Sequence, residues 1–226
     1  MTIDTQIRRP IRETKFWEAY LPRRYAILFY TLLLMLIAIP MAATIGLPQG
    51  AMKLLLGACL LAAVLPNGTR RTRHLLIAAI VLLILVRFAS ERGYLPVASG
   101  LVLGLYGLIG LLAAAGTLRF AVSAEEVDRE VVYAALSTYL LAGLFFGQIY
   151  WSMEQAWPGS LTGPDPVSDS TAVYYSFVTL ATLGYGDYLP RSDLARGIAT
   201  FEVIGGQLFL AVMVARLIGA FGTTKS

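Results

Sequence analysis

The sequence predicts an all-α integral membrane protein, with six transmembrane helices and a short re-entrant helix and loop between the last two. Three observations carry that prediction. Of 226 residues, 57% are apolar and only 14% charged, against about a quarter charged in soluble domains. The apolar residues fall into six stretches, at 25–46, 51–66, 75–89, 95–118, 131–151 and 195–220, each near the roughly 20 residues that carry a helix across a bilayer. A further apolar run, 171–181, is too short to cross and stands beside two stretches that are long enough. A soluble fold of this size could not bury so much apolar surface. That excludes an ordinary soluble enzyme, a disulfide scaffold and a disordered chain.

Residues 1–24 read as a polar cytoplasmic tail, in which Arg8, Arg9, Arg12, Lys15, Arg23 and Arg24 outnumber Asp4, Glu13 and Glu18. Residues 25–119 hold the first four stretches as a four-helix transmembrane domain. The second and third are short and carry Lys53 and Arg87 near one end, where a long cationic side chain snorkels to the interface. Most of the 18 Lys and Arg lie in the tail, at Arg70, Arg71 and Arg73, and at Arg119, Arg129, Arg216 and Lys225. By the positive-inside rule both termini are cytoplasmic, in a multi-pass protein of the cell (plasma or inner) membrane. The net charge of +4 therefore reports topology and not a nucleic-acid partner. Cys59 is the one cysteine, so no intramolecular disulfide is possible. Residues 120–130, with Glu125, Glu126, Asp128 and Arg129, read as an amphipathic linker: a short helix on the membrane surface, or a plain acidic connection.

Residues 131–222 hold the chemistry. After the fifth stretch, residues 153–170 are rich in Pro, Gly, Ser and Asp and read as an external turret. Ser168, Asp169 and Ser170 are N-cap candidates for the short apolar helix that follows. Directly after that helix comes Thr182-Leu183-Gly184-Tyr185-Gly186-Asp187. Irregular backbone at membrane depth is tolerated only when buried in protein or lining a water-filled path. Glycines at alternate positions allow positive φ without a Cβ clash, so successive carbonyl oxygens can turn to one side. A row of such dipoles is a hard, neutral ligand set suited to replacing the hydration shell of an alkali cation. Gly-Tyr-Gly alone would arise by chance in roughly one chain in ten of this composition, but with the Thr and Asp in place this falls to about one in five thousand.

The run Tyr174-Tyr175-Ser176-Phe177-Val178-Thr179-Leu180-Ala181-Thr182-Leu183-Gly184-Tyr185-Gly186-Asp187 resembles the pore helix and selectivity filter of tetrameric potassium channels. The resemblance is close over about 131–222. Before that it is an agreement in helix number with six-span channels. It implies that K+ is held by the carbonyls of Thr182, Leu183, Gly184 and Tyr185 and by the Thr182 hydroxyl, with Gly186 completing the filter. It implies that Tyr175 and Asp187 brace the filter from behind through a hydrogen bond. It also implies a homotetramer, since one filter strand cannot surround an ion. Leu183 stands where the family most often has Val, and only its carbonyl faces the ion.

The last stretch contains Gly205-Gly206. Each glycine inside a helix costs up to about 1 kcal/mol against Ala, so the pair needs a reason. Gly206 lies as far past Asp187 as the family's hinge glycine and reads as a gating hinge, with Gly205 assigned to close packing. Gln207, Leu210, Val214 and Ile218 share one helical face, which reads as the wall of an inner cavity and an apolar gate. Glu202, a carboxylate within a span, either braces the back of the pore helix or senses protons. Glu154, Asp165, Asp169, Asp187 and Asp193 read as an acidic mouth that concentrates cations, or, for all but Asp187, as ordinary turret charges.

Voltage-gated relatives carry several Arg at three-residue intervals in the fourth span. Here 95–118 has none, and Arg119 lies just past its end, so steep voltage dependence is not expected. The sequence ends six residues after the last apolar stretch, so no cytoplasmic sensing domain is expected there. The expected function is passive K+ conduction, with lipid, K+ and three further copies as partners and no cofactor beyond the permeant ion. A non-selective monovalent cation channel is the nearest rival. A secondary transporter would show paired broken helices, and one re-entrant loop stands here. An intramembrane enzyme would need a nucleophile with a base or a metal cluster, and the one histidine, His74, has no Cys, Asp or Glu near it in sequence.

Overall fold

The computed structural model describes residues 21–45, 49–64, 77–86 and 99–222. Residues 1–20 of the basic tail, the arginines at 70–73 with His74, and Arg87 lie outside the described residues. A 3-10 turn at Leu21–Arg23 leads into α1 (Arg24–Ile45), followed by α2 (Gln49–Val64), α3 (Ile77–Val86), α4 (Ser99–Ser123) and α5 (Arg129–Ala156). Then come β1 (Leu161–Thr162), α6 (Asp169–Leu180), β2 (Leu189–Pro190) and α7 (Asp193–Gly222). Among the described residues four helices, α1, α4, α5 and α7, are long and apolar enough to cross a membrane. The chain is thus a mostly helical, multi-pass membrane protein. At 1.5 Å per residue α2 reaches about 24 Å, short of the roughly 30 Å hydrocarbon core, and α3 is shorter still.

The central element is α5. Its N-cap Asp128 accepts a hydrogen bond from the backbone N–H of Val131 at 2.8 Å, satisfying a donor that the first helical turn leaves free. Two residues on, Glu130 accepts from the backbone N–H of Tyr25 at 3.0 Å, which caps the start of α1 and pins it to α5. Ser137 donates to the Tyr25 carbonyl and the Tyr30 and Tyr133 hydroxyls meet at 3.1 Å.

On another side α4 runs antiparallel to α5, on a ladder of glycines. A Cβ at Gly100 would stand 2.9 Å from the Ser152 carbonyl, one at Gly104 3.0 Å from Ser152 Oγ, and one at Gly107 3.1 Å from the Phe145 carbonyl. Small residues of this kind let two membrane helices approach by backbone, where van der Waals contact replaces the missing hydrophobic drive. The fourth helix therefore packs on the α5 of its own chain. Of the two alternatives for 120–130 the structure agrees with the plain connection: Phe120–Ser123 finish α4, residues 124–128 are non-helical, and Arg129 already belongs to α5. So short a connection forces the two helices into a hairpin. Arg216, near the end of α7, donates to the carbonyls of Val122 and Ala124, satisfying acceptors that the end of α4 leaves open.

Candidate functional site

The short helix α6 forms where the sequence places it, with its N-cap at Ser168, whose hydroxyl accepts from the Thr171 N–H at 3.2 Å. Asp169 instead accepts from Gln148 Nε2 at 2.7 Å, a part-buried tie to α5. At 12 residues α6 spans about 18 Å, too short to cross the roughly 30 Å hydrocarbon core. It lies between α5 and α7 on glycine contacts. A Cβ on Gly147 would stand 2.7 Å from Val173 Cα, and one on Gly206 2.7 Å from the Leu180 carbonyl.

After the C-cap Ala181 the backbone stops being helical. Thr182, Gly184 and Gly186 have φ of 57°, 59° and 78°, and among the described non-glycine residues Thr182 is the one with positive φ. Handedness thus alternates through Thr182-Leu183-Gly184-Tyr185-Gly186, which turns successive carbonyls toward one side. Two of the three left-handed positions are glycine and adopt that conformation freely. Thr182 is β-branched, and its left-handed backbone costs on the order of 1–3 kcal/mol. The sequence reading assigned alternation to the glycines and missed Thr182, because nothing in a threonine signals it.

Gln207 Nε2 reaches Thr182 Oγ1 at 3.5 Å, which sets Gln207 directly beneath the loop. Of the other residues placed on its face, Leu210 and Val214 border a groove between α7 and the start of α5, with Val131, Ala135 and Leu136 opposite. Ile218 is exposed. The two glycines also divide otherwise than expected: a Cβ at Gly205 would meet nothing within 4 Å, so the close approach within the chain belongs to Gly206. Through both, α7 is helical without a break.

The predicted brace is corrected by one residue. Tyr174, not Tyr175, donates to Asp187, at 2.8 Å. Adjacent residues on a helix point about 100° apart. Tyr174 faces the loop, whereas Tyr175 turns back to Thr179 and to the Tyr150 ring 4.8 Å away. On the turret, Glu154 accepts from the N–H groups of Gly159 and Leu161, holding the turn that leads into β1. Glu154 therefore organises backbone. The β1–β2 ribbon, pairing Leu161 with Pro190 and Thr162 with Leu189, joins the turret to the strand leaving the loop.

Behind α6 lies Glu202, 1% exposed. Tyr150 donates to its Oε2 at 2.8 Å, and its Oε1 lies 2.5 Å from Ser176 Oγ. One carboxyl group thus connects α5, α6 and α7, which agrees with the bracing alternative.

Two long helices, α5 and α7, thus enclose a short helix and a loop of alternating handedness. Residues 135–222 match the family described as "Ion channel". Over 87 residues, 37% of this chain, the sequence is 33% identical to the inward rectifier potassium channel Kirbac3.1 of Paramagnetospirillum magnetotacticum, covering 27% of that protein. Over 87 residues, 38% of this chain, it is 30% identical to the voltage-gated potassium channel regulatory subunit KCNF1 of Rattus norvegicus and of Homo sapiens, covering 17% of each. The chain therefore spans only a small part of the length of these relatives. No solved structure matches it. Over 135–222 the chain is similar to ion channels, and over 87 residues to potassium channels; the likeness is to channels and not to enzymes.

Proposed function

We propose that four copies of this chain surround an axis and conduct K+ passively through the loop Thr182–Gly186. The observation that carries this reading is the alternating backbone of that loop, which lets the carbonyls of Thr182, Leu183, Gly184 and Tyr185 act together as ligands. The Thr182 hydroxyl, with Gln207 beneath it, would take the innermost ion. In the single chain Leu183 is 57% and Tyr185 67% exposed, and irregular backbone at membrane depth needs protein around it. Three further copies would supply that cover, and would also cover Phe201, Ile204 and Leu208, which α7 leaves exposed. In this reading α2 and α3 cross with the other four helices, the termini are cytoplasmic, and the stretch from Gln207 to Ile218 lines the path below the filter. The likeness to potassium channels favours K+ over other cations.

The reversal potential of purified protein in a planar bilayer, with K+ on one side and Na+ on the other, tests this directly. We expect reversal near the K+ equilibrium potential. Reversal near zero would instead establish a general cation path.

Conductance should vary little with voltage, since Arg119, in its last turns, is the one Lys or Arg of α4. A steep conductance–voltage curve worth several charges per channel would overturn that. The corrected brace makes a separate prediction. Tyr174→Phe should shorten open periods in single-channel records by freeing Asp187, and Tyr175→Phe should leave the Asp187 contact and those periods intact. Equal shortening in both variants would contradict the assignment.

A further inference from the structure

The hydrogen inventory around Glu202 is short by one proton if the carboxyl is ionised. Ser176 Oγ, fully buried, lies 2.8 Å from the Gly143 carbonyl oxygen and 2.5 Å from Glu202 Oε1. A hydroxyl has one hydrogen to donate. If Ser176 gives it to an ionised Glu202, the contact with the Gly143 oxygen has no proton in it and is repulsive. If Ser176 gives it to Gly143, an ionised Oε1 faces a lone pair at 2.5 Å. Both contacts are satisfied together when the carboxyl supplies the second hydrogen. The other oxygen, Oε2, already accepts from Tyr150, so it is the carbonyl oxygen and Oε1 carries the proton.

The surroundings agree. Tyr139 and Tyr150 of α5 and Tyr175 of α6 are the titratable groups that face Glu202. All are neutral phenols, and no cation is set against Glu202 among the described residues. An ionised carboxylate buried without a cation is among the costliest arrangements a protein can hold, more so at membrane depth. A neutral acid with one donor and one acceptor engaged carries no such cost.

We infer that Glu202 is a neutral carboxylic acid whose proton bridges to Ser176, making it a positioning residue that locks α6 to α5 and α7. The chain of bonds runs from Tyr150 to Glu202 Oε2, from Glu202 Oε1 to Ser176 Oγ, and from Ser176 to the Gly143 carbonyl. Losing the proton breaks the middle link and leaves a charge behind α6, whose last residues lead straight into Thr182. Its consequence for conduction rests on the pore reading above; its protonation does not.

Infrared spectroscopy of the full chain in lipid vesicles tests it. The difference between wild type and Glu202→Gln at neutral pH should contain a protonated-carboxyl C=O band, sensitive to D2O. A band is also expected in Tyr150→Phe and Ser176→Ala, moved to higher frequency by loss of one hydrogen bond. A carboxylate band in its place, or a C=O band that neither variant moves, overturns the inference whatever the ion selectivity proves to be. In flux assays Glu202→Gln, whose amide donates to Ser176 and accepts from Tyr150, should conduct as wild type does at neutral pH. It should also escape the loss of flux that wild type shows as rising pH ionises the acid. Equal loss in both proteins would overturn the positioning role, and absence of K+ selectivity in both would bear on the pore reading alone.

Discussion

Gly206→Ala should silence conduction and lower thermal stability, whereas Gly205→Ala should raise stability and leave conduction largely intact. Both changes gain the same helix propensity, up to about 1 kcal/mol per chain. At Gly205 nothing lies within 4 Å of the new methyl group, so that gain stands alone. At Gly206 the methyl would sit 2.7 Å from the Leu180 carbonyl oxygen and 2.9 Å from Leu180 Cδ1. The side-chain carbon can swing away, but the carbonyl ends α6 two residues before Thr182 and cannot move without shifting the loop. Overpacking of this kind costs about 1–3 kcal/mol, which exceeds the propensity gain. A hinge reading of Gly206 also predicts lost conduction, but it predicts a more stable resting helix. Melting followed by circular dichroism separates the two, with K+ flux measured on the same preparations. A Gly206→Ala protein that melts above wild type would remove the packing argument and leave the hinge.

The same residue shows where sequence reasoning stopped. Hydropathy and length located the long helices to within a few residues, because a bilayer imposes an apolar run of known extent. The bounds and N-cap of α6 were legible for a related reason: a run of three turns followed by two spaced glycines has few places to go in a membrane. What pattern could not supply was azimuth. Tyr174 and Tyr175 have the same chemistry and adjacent numbers, and only the rotation of α6 against α5 decides which one meets Asp187. Gly205 and Gly206 differ in the same way. The linker over 120–130 was left between two alternatives because its acidic residues suit a surface helix as well as a capped turn. The deciding contact, Asp128 accepting from Val131, depends on where α5 begins. The glycine ladder of α4 was invisible for yet another reason. In an all-round apolar helix a glycine scarcely changes hydropathy, and its value appears only once the backbone of α5 lies against it.

Glu202 and Thr182 mark a second kind of limit. The sequence identified Glu202 as a carboxyl out of place in a span, and left bracing and proton sensing as alternatives. Its two partners come from helices 26 and 52 residues away, and no local spacing announces them. Thr182 looked like a side-chain ligand and proved also to be a backbone outlier. In both cases a residue that breaks a local rule is held by surrounding contacts, as strained and buried polar groups at functional sites commonly are.

Gly184→Ala carries the other large effect, and it should act on selectivity while leaving the fold alone. A Cβ there meets nothing within 4 Å, so the single chain has room for it and its helices should melt as in wild type. The obstacle is the φ of 59°, a left-handed conformation that costs an L-residue other than glycine roughly 1–2 kcal/mol. Thr182, just before, already bears such a cost, so the substitution doubles the strain within three residues. In the proposed ring the penalty is incurred four times, several kcal/mol in all, and each factor of ten in a population needs only about 1.4 kcal/mol. The backbone at 184 should therefore relax to negative φ, turning a neighbouring carbonyl off the axis and removing one ring of ligands. The expected result is a protein that folds and inserts normally, with its K+ flux lost or its reversal potential moved from the K+ equilibrium value toward zero. If Gly184→Ala kept the wild-type reversal potential at wild-type flux, alternating handedness would not be what makes this loop selective. The coordinating groups would then have to be sought in the Thr182 hydroxyl and Gln207 below it.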